Sequence, residues 1–181
     1  MEILVINGFP GSGKDTFVSL CCKYANCANL STVDPIKEAA KLLGWKGEKT
    51  PETRKFLSNL KDISDIYFDT SFNYIKNIIE ELGSLTEKID FIFIHCREPE
   101  QILRFKKEFG AITLYVDAED RLKQEGKDIT LSNHADRDVK NFNYDLIIYN
   151  NKSLTELDSS AKIFIDNFDK LKYRLSVNTI E

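Results

Sequence analysis

The chain predicts a three-layer α/β/α domain around an open, five-stranded parallel sheet, and three observations carry that expectation. Glu2-Ile-Leu-Val-Ile6 and Ile89-Asp-Phe-Ile-Phe-Ile-His-Cys96 are short, nearly continuous apolar runs, the pattern of parallel strands buried on both faces. Segments of helical periodicity separate them from further short strands. No internal repeat, low-complexity tract or linker interrupts the alternation. At 181 residues with 42% hydrophobic and 30% charged content, there is room for one soluble domain with a sizeable core.

The elements follow in order. After the first strand comes a glycine turn and a helix with Phe17, Leu20, Cys21 and Tyr24 at helical spacing. Ala28–Val33 reads as a second strand, ended by Asp34-Pro35, where aspartate can cap a helix and proline can take its first position. Ile36, Ala39, Ala40 and Leu43 share a face until Gly44 stops that helix. Thr50-Pro51 repeats the start signal, and Phe56, Leu57, Leu60, Ile63 and Tyr67 give the next helix an apolar stripe. A further helix carries Phe72, Ile75, Ile78, Ile79 and Leu82. The strand at 89–96 is expected beside the first, followed by a helix with Ile102, Phe105 and Phe109, then a strand at 111–116. From Asp117 to Asn143 the apolar period disappears, the mark of a functional loop or lid. Tyr144–Tyr149 restores a strand, and Ser153-Leu-Thr-Glu156 is a capping box opening a last helix. The expected division of this single domain, residues 1–181, is a core of 1–33, 86–116 and 144–181, a helical insertion at 34–85 and a lid at 117–143.

The net charge of −4 argues against a general nucleic-acid or membrane surface and leaves any cationic site to be assembled by the fold. The first residues lack a basic stretch and a long apolar run, so a cytoplasmic location is expected. Cys21, Cys22, Cys27 and Cys96 show neither paired spacing nor a histidine cluster, so they read as buried, inert thiols.

Chemistry concentrates in "NGFPGSGKDTF", Asn7 to Phe17. Gly8-x-x-x-x-Gly13-Lys14 has P-loop spacing, and the glycines let successive backbone N–H groups converge on phosphate oxygens without side chains intervening. A helix opening at Lys14 adds the positive end of its dipole. Asp15 stands where Ser or Thr usually follows the lysine, with Thr16 one place later, which alters the expected hold on Mg²⁺. A glycine turn serving only close helix–strand packing is the alternative for this stretch. In an open parallel sheet ligands sit at the carboxyl ends of strands, where Asn7–Lys14, Thr32–Lys37 and His95–Glu100 all fall.

The stretch "GFPGSGKDTF" resembles the P-loop of nucleoside monophosphate kinases: adenylate kinase has a similar GxPGxGKGT, and "GKDT" resembles bacteriophage deoxynucleoside monophosphate kinases and animal-type phosphomevalonate kinase. "DPIKEAAKLLG", Asp34 to Gly44, is similar to the start of the acceptor region in those phage kinases. "HCREPE", His95 to Glu100, resembles their D-x-R-x-x-E. "NHADRDVKNFNYDLIIYNNKSLTEL", Asn133 to Leu157, looks like the lid and last strand of phosphomevalonate kinase and dephospho-CoA kinase relatives. The likeness spans most of the chain, although only the P-loop is specific by itself.

The resemblance implies ATP and Mg²⁺ as cofactors and a small phosphorylated acceptor as partner. Lys14 would reach the β- and γ-phosphates, while Gly8, Pro10, Gly11, Ser12, Gly13, Asp15 and Thr16 would form the cradle, the last two serving the metal. Arg97 would meet the acceptor phosphate, and Asp34, Lys37 and Arg54 would grip the acceptor. The lid offers Arg121, Lys123, Lys127 and Arg137, of which Arg137 and then Arg121 are the expected catalytic cations. Asn150 and Asn151 sit where related kinases approach adenine through backbone atoms. His95 replaces the family's aspartate, which keeps open a non-nucleotide acceptor such as phosphomevalonate or dephospho-CoA. Trp45 reads as packing under the insertion and His134 as a structural lid residue.

The leading expectation is therefore an ATP-dependent kinase of nucleoside or deoxynucleoside monophosphates, monomeric or homodimeric. A non-catalytic nucleotide binder is a further reading. A GTPase would carry N-K-x-D, whereas Asn151-Lys152-Ser153-Leu154 lacks the aspartate; a motor-type ATPase would end a strand in acidic residues rather than Ile94-His95-Cys96.

Overall fold

A computed structural model describes residues 1–86, 88–126, 139 and 141–178. It contains β1 (Glu2–Asn7), α1 (Lys14–Cys21), β2 (Cys27–Ser31), α2 (Asp34–Leu42), α3 (Pro51–Phe68) and α4 (Thr70–Ser84). There follow β3 (Phe91–His95), α5 (Pro99–Phe109), β4 (Ile112–Asp117), α6 (Glu119–Gln124), β5 (Leu146–Tyr149), α7 (Leu154–Asp166) and α8 (Phe168–Asn178). The five strands form one sheet in the order β2-β3-β1-β4-β5. The pairings β1–β3, β1–β4 and β4–β5 are parallel, with Ile6 opposite His95, Asn7 opposite Tyr115 and Asp117 opposite Tyr149. The expectation that the 89–96 strand lies beside the first is borne out.

The chain divides into two compact units, one of Met1–Asn29 with Lys88–Glu181 and one of Leu30–Glu87. In the first, strand alternation sorts side chains to two faces. Leu4, Ile6, Phe91, Phe93, Leu114 and Val116 join Phe17, Val18 and Leu20 of α1 and Leu157, Ala161 and Phe164 of α7 in one buried cluster. Phe17 meets Phe164 edge-on with ring centroids 5.6 Å apart, and Phe168 of α8 closes the group against Phe91 at 5.0 Å. Ile102 and Phe105 of α5 are also fully buried. The Ser153 capping box forms as expected: its hydroxyl accepts from the Glu156 N–H, and the Glu156 carboxylate accepts from the Ser153 N–H.

In the second unit, Ile36 and Ala40 of α2 and Phe72, Ile75 and Ile79 of α4 are buried. The Thr50 side chain caps α3 with Pro51 in its first turn, as the sequence indicates. Asp34 differs from expectation: it is the first helical residue rather than the cap, and its carboxylate accepts from the Ser31 N–H at 2.9 Å. The apolar stripe of α3 also differs. Leu57 and Leu60 are partly covered, but Phe56 is exposed, Ile63 and Tyr67 are 55% and 72% exposed, and the buried residue of this helix is Lys61, paired with Asp65 at 2.9 Å.

Two further differences concern the stretch after β4 and the cysteines. The residues following Asp117 open with α6, whose only buried residue is Leu122, so an apolar period could not announce it. Asp117 starts it by accepting from the Glu119 N–H, and Glu119–Lys123 and Arg121–Glu125 pairs run along it. Cys21 and Cys96 are buried, but Cys22 is exposed and Cys27 only partly covered. Burial pushes the Cys27 thiol up to about 12, assisted by its neighbour Cys22, which suppresses the reactive thiolate. Among the described residues no helix is long and apolar enough to cross a membrane.

Candidate active site

The site grows from the carboxyl end of β1. Asn7 is buried and its side-chain oxygen accepts from the Gly8 N–H at 2.8 Å, turning the chain out of the strand. Gly8, Gly11 and Gly13 then take φ values of 151°, 80° and 93°. These are conformations that L side chains resist. At Gly8 space adds a second constraint, because a Cβ would lie 2.6 Å from the Val116 carbonyl oxygen and 2.7 Å from Ser12 Oγ. The Ser12 N–H donates to the Phe9 carbonyl at 3.0 Å, closing the loop on itself.

Helix α1 opens at Lys14 with no side-chain cap, leaving the loop's end at the positive pole of the helix. The Lys14 ammonium folds back over the loop, donating to the carbonyls of Gly8 at 2.6 Å and Phe9 at 3.0 Å. Ser12 Oγ is buried without a hydrogen-bond partner, a polar atom beneath the loop that its own surroundings do not satisfy. Pro10, Gly11, Asp15 and Thr16 are exposed on the loop and the first helical turn.

Other strand ends supply the walls of this unit. His95 Nε2 at the end of β3 lies 3.7 Å from Asp15 Oδ1, joining two positions the sequence separates by 80 residues. Arg97 follows β3, partly covered. Arg121 on α6 donates from Nη2 to the Gly11 carbonyl at 2.9 Å and from Nε to the Asn150 carbonyl at 3.1 Å, with Glu125 holding its third nitrogen at 2.8 Å. It therefore touches the loop directly. Asn150, just past β5, is buried and donates from Nδ2 to the Ser12 carbonyl at 2.8 Å. Its backbone N–H is engaged by the Asp117 carbonyl at 2.6 Å. Asn151 Oδ1 accepts from the N–H groups of Asp120 and Arg121, capping α6.

Ahead of β5, Tyr144 stacks on Tyr115 of β4 with ring centroids 5.1 Å apart. Burial pushes the Tyr115 hydroxyl up to about 12, with Asp117 adding to the shift, so both rings stay neutral hydroxyls over the physiological range.

Lys14, Gly8 to Thr16, Arg97, Arg121, Asn150 and His95 thus belong to one unit. Asp34, Lys37 and Arg54 belong to the other. There Lys37 Nζ pairs with Asp34 Oδ1 at 2.9 Å, while Arg54 stands exposed on the first turns of α3. Arg137, Lys127 and His134 lie outside the described residues. The side-chain bond from Asn150 to the loop and the cap from Asn151 were not foreseen; a pair of asparagines closing a strand is the signal that marked the place without naming the contact.

A buried parallel strand, a glycine loop at positive φ and a helix opening on the loop's lysine define a P-loop α/β fold. Among the solved structures similar to this chain, two share its overall fold over most of its length. Shikimate kinase from Aquifex aeolicus is 15% identical with a TM-score of 0.54, over 92% of this chain and 98% of that one. The Thermus thermophilus protein TT1252 is 18% identical with a TM-score of 0.52, over 92% and 97%. No protein-family model matches the sequence, and no curated protein does.

Proposed function

We propose that this protein is an ATP-dependent phosphotransferase that moves the γ-phosphoryl group to a nucleoside or deoxynucleoside monophosphate. The observation that carries the reading is the loop from Gly8 to Thr16, with three glycines at positive φ and the Lys14 ammonium lying on its carbonyls. Phosphoryl transfer asks chiefly for positioning and charge compensation, and this loop supplies both. Lys14 leaves the Gly8 and Phe9 carbonyls for the stronger attraction of the β- and γ-phosphates. Arg121, already 2.9 Å from the Gly11 carbonyl, is within a side-chain rotation of the same charge. Arg97 and Arg137 compensate the acceptor and the transferred group, and Asp34, Lys37 and Arg54 bind the acceptor.

Asp15 and Thr16 fit a hard cation: both are exposed oxygen donors on the first turn of the helix that opens beneath the loop. Bound there with the nucleotide, Mg²⁺ would neutralise phosphate charge. His95, 3.7 Å from Asp15, occupies the place of the aspartate in phage deoxynucleoside monophosphate kinases and favours a second reading, a non-nucleotide phosphorylated acceptor.

A coupled assay with Mg-ATP against ribo- and deoxynucleoside monophosphates, phosphomevalonate, dephospho-CoA and shikimate tests the assignment. Turnover with a monophosphate is expected, falling about a thousandfold in Lys14→Ala. Turnover with phosphomevalonate or dephospho-CoA alone would replace the first reading by the second, and no turnover with any acceptor would leave a nucleotide binder.

A further inference from the structure

We infer that Asn150 is the positioning residue of the phosphate loop, acting through its side chain on the orientation of a single peptide group; this rests on the loop being the ATP site. Asn150 Nδ2 donates to the Ser12 carbonyl at 2.8 Å, across 138 residues of sequence and out of contact with solvent. A carbonyl oxygen can only accept, so the amide nitrogen must face it, and the side chain's orientation is settled by that partner. In a trans peptide the carbonyl and the following N–H point in opposite directions. Holding the Ser12 carbonyl against Asn150 therefore turns the Gly13 N–H the other way, to the side of the loop where a phosphate is received.

Asn150 is itself held from two directions, which makes it a fixed reference rather than an adaptable contact. Its N–H donates to the Asp117 carbonyl at 2.6 Å at the end of β4. Its carbonyl accepts from Arg121 Nε at 3.1 Å. Arg121 also takes the Gly11 carbonyl, and the Ser12 N–H of that same peptide is spent on Phe9, so the neighbouring peptide turns inward on the loop and offers nothing to a ligand. The two adjacent peptides are thus set by different side chains, and the one set by Asn150 presents a donor. The arrangement also accounts for Gly13: a Cβ at that position would overlap Asn150 Nδ2, so glycine there serves the contact as well as the 93° φ angle.

The consequence separates the phosphates from the base. Because Asn150 shapes the loop, its loss weakens everything that binds through phosphates and leaves binding through the adenosine moiety alone. The experiment compares wild type, Asn150→Ala and Asn150→Asp in the full chain for affinity toward ATP, inorganic tripolyphosphate and adenosine, with melting temperatures alongside. Asn150→Ala is expected to weaken ATP and tripolyphosphate about tenfold to a hundredfold, with adenosine unchanged. Asn150→Asp should weaken them further, since it sets a carboxylate oxygen against the Ser12 carbonyl. Should Asn150→Ala not fold, Asn150→Ser, which keeps a hydroxyl donor, takes its place, with a smaller loss in the same two ligands. A lowered melting temperature with unchanged tripolyphosphate affinity would reduce Asn150 to a structural residue and overturn the inference. So would loss of adenosine affinity with tripolyphosphate intact, which would make it a base contact. If wild type binds neither ATP nor tripolyphosphate, the kinase reading fails and takes this inference with it; if wild type binds both and the variants bind equally, only the inference fails.

Discussion

Asp145 and Asp65 do the same local chemistry in different units, and they do it over very different distances along the chain. Asp145 accepts from Lys106 Nζ at 2.7 Å and from the Thr113 N–H and hydroxyl at 2.8 Å each, 39 and 32 residues away, tying α5 to the start of β4 and the approach to β5. Asp65 accepts from Lys61 Nζ at 2.9 Å and from the Ser71 N–H at 2.8 Å, only four and six residues away, closing the corner between α3 and α4. The same contrast holds for the apolar contacts. In the loop-bearing unit, Phe17, Phe91, Phe164 and Phe168 bring distant segments together. In the helical unit, Phe56, Ile63, Ile66, Tyr67 and Phe68 of α3 stay exposed. Long-range ties fix the ends of β1, β4 and β5, and those ends carry the loop, Arg121 and Asn150. The helical unit joins local corners and caps to the buried Ile36, Ala40, Phe72, Ile75 and Ile79, and leaves a face of α3 exposed.

The contrast is broken most severely in the core of the first unit. Phe17→Ala removes a fully buried ring from the group joining α1 to α7, and urea unfolding is expected to show a loss of about 3–5 kcal/mol. A loss below about 1 kcal/mol would mean that α1 does not depend on that cluster.

The two carboxylates sharpen the contrast next. Asp145→Ala, which unties segments more than 30 residues apart, is expected to cost about 3 kcal/mol at neutral pH, and Asp65→Ala, which opens a local corner, about 2 kcal/mol. Burial pushes both carboxyls up, but the lysine and amide hydrogen bonds outweigh it and hold both below the usual carboxylate range. A carboxyl depressed in the folded state stabilises fully above its unfolded value, about 4, and loses that contribution as pH falls through the folded value. The gap between wild type and each variant should therefore narrow below about pH 4. A gap that widened on acidification would contradict the hydrogen-bonded arrangement.

The smallest effect is expected on the exposed face of α3. Ile66→Asp should change stability by less than about 0.5 kcal/mol, because the side chain is already 78% exposed. A loss of 2 kcal/mol would show that this face is covered in solution.

How far the sequence reaches follows the same division. β1 and β3 were legible because strands buried on both faces need unbroken apolar runs, and the P-loop because its glycines have a stereochemical necessity. The Thr50 and Ser153 helix starts were legible because capping is local. α6 was not, since it rests on the single apolar anchor Leu122 and on hydrogen bonds that its first N–H groups donate to Asp117 and Asn151. The exposure of α3 was not, because periodicity reports that a helix has an apolar face and not that anything meets it. The candidate site was legible in Lys14 and the glycines, but not in the pairing of His95 with Asp15 or of Asn150 with Ser12. Those contacts join segments whose neighbourhood is created by strand order, and no local pattern encodes them.

The central claim is that main-chain amides of the loop receive a polyphosphate. Its most direct measurement is a titration of the ¹⁵N-labelled chain with Mg-ATP, following the backbone amides of Gly11, Gly13, Lys14, Asp15 and Thr16. Saturable shifts at these amides, absent in Lys14→Ala at the same concentrations, are the predicted result. Unmoved loop amides in the presence of excess Mg-ATP would contradict it.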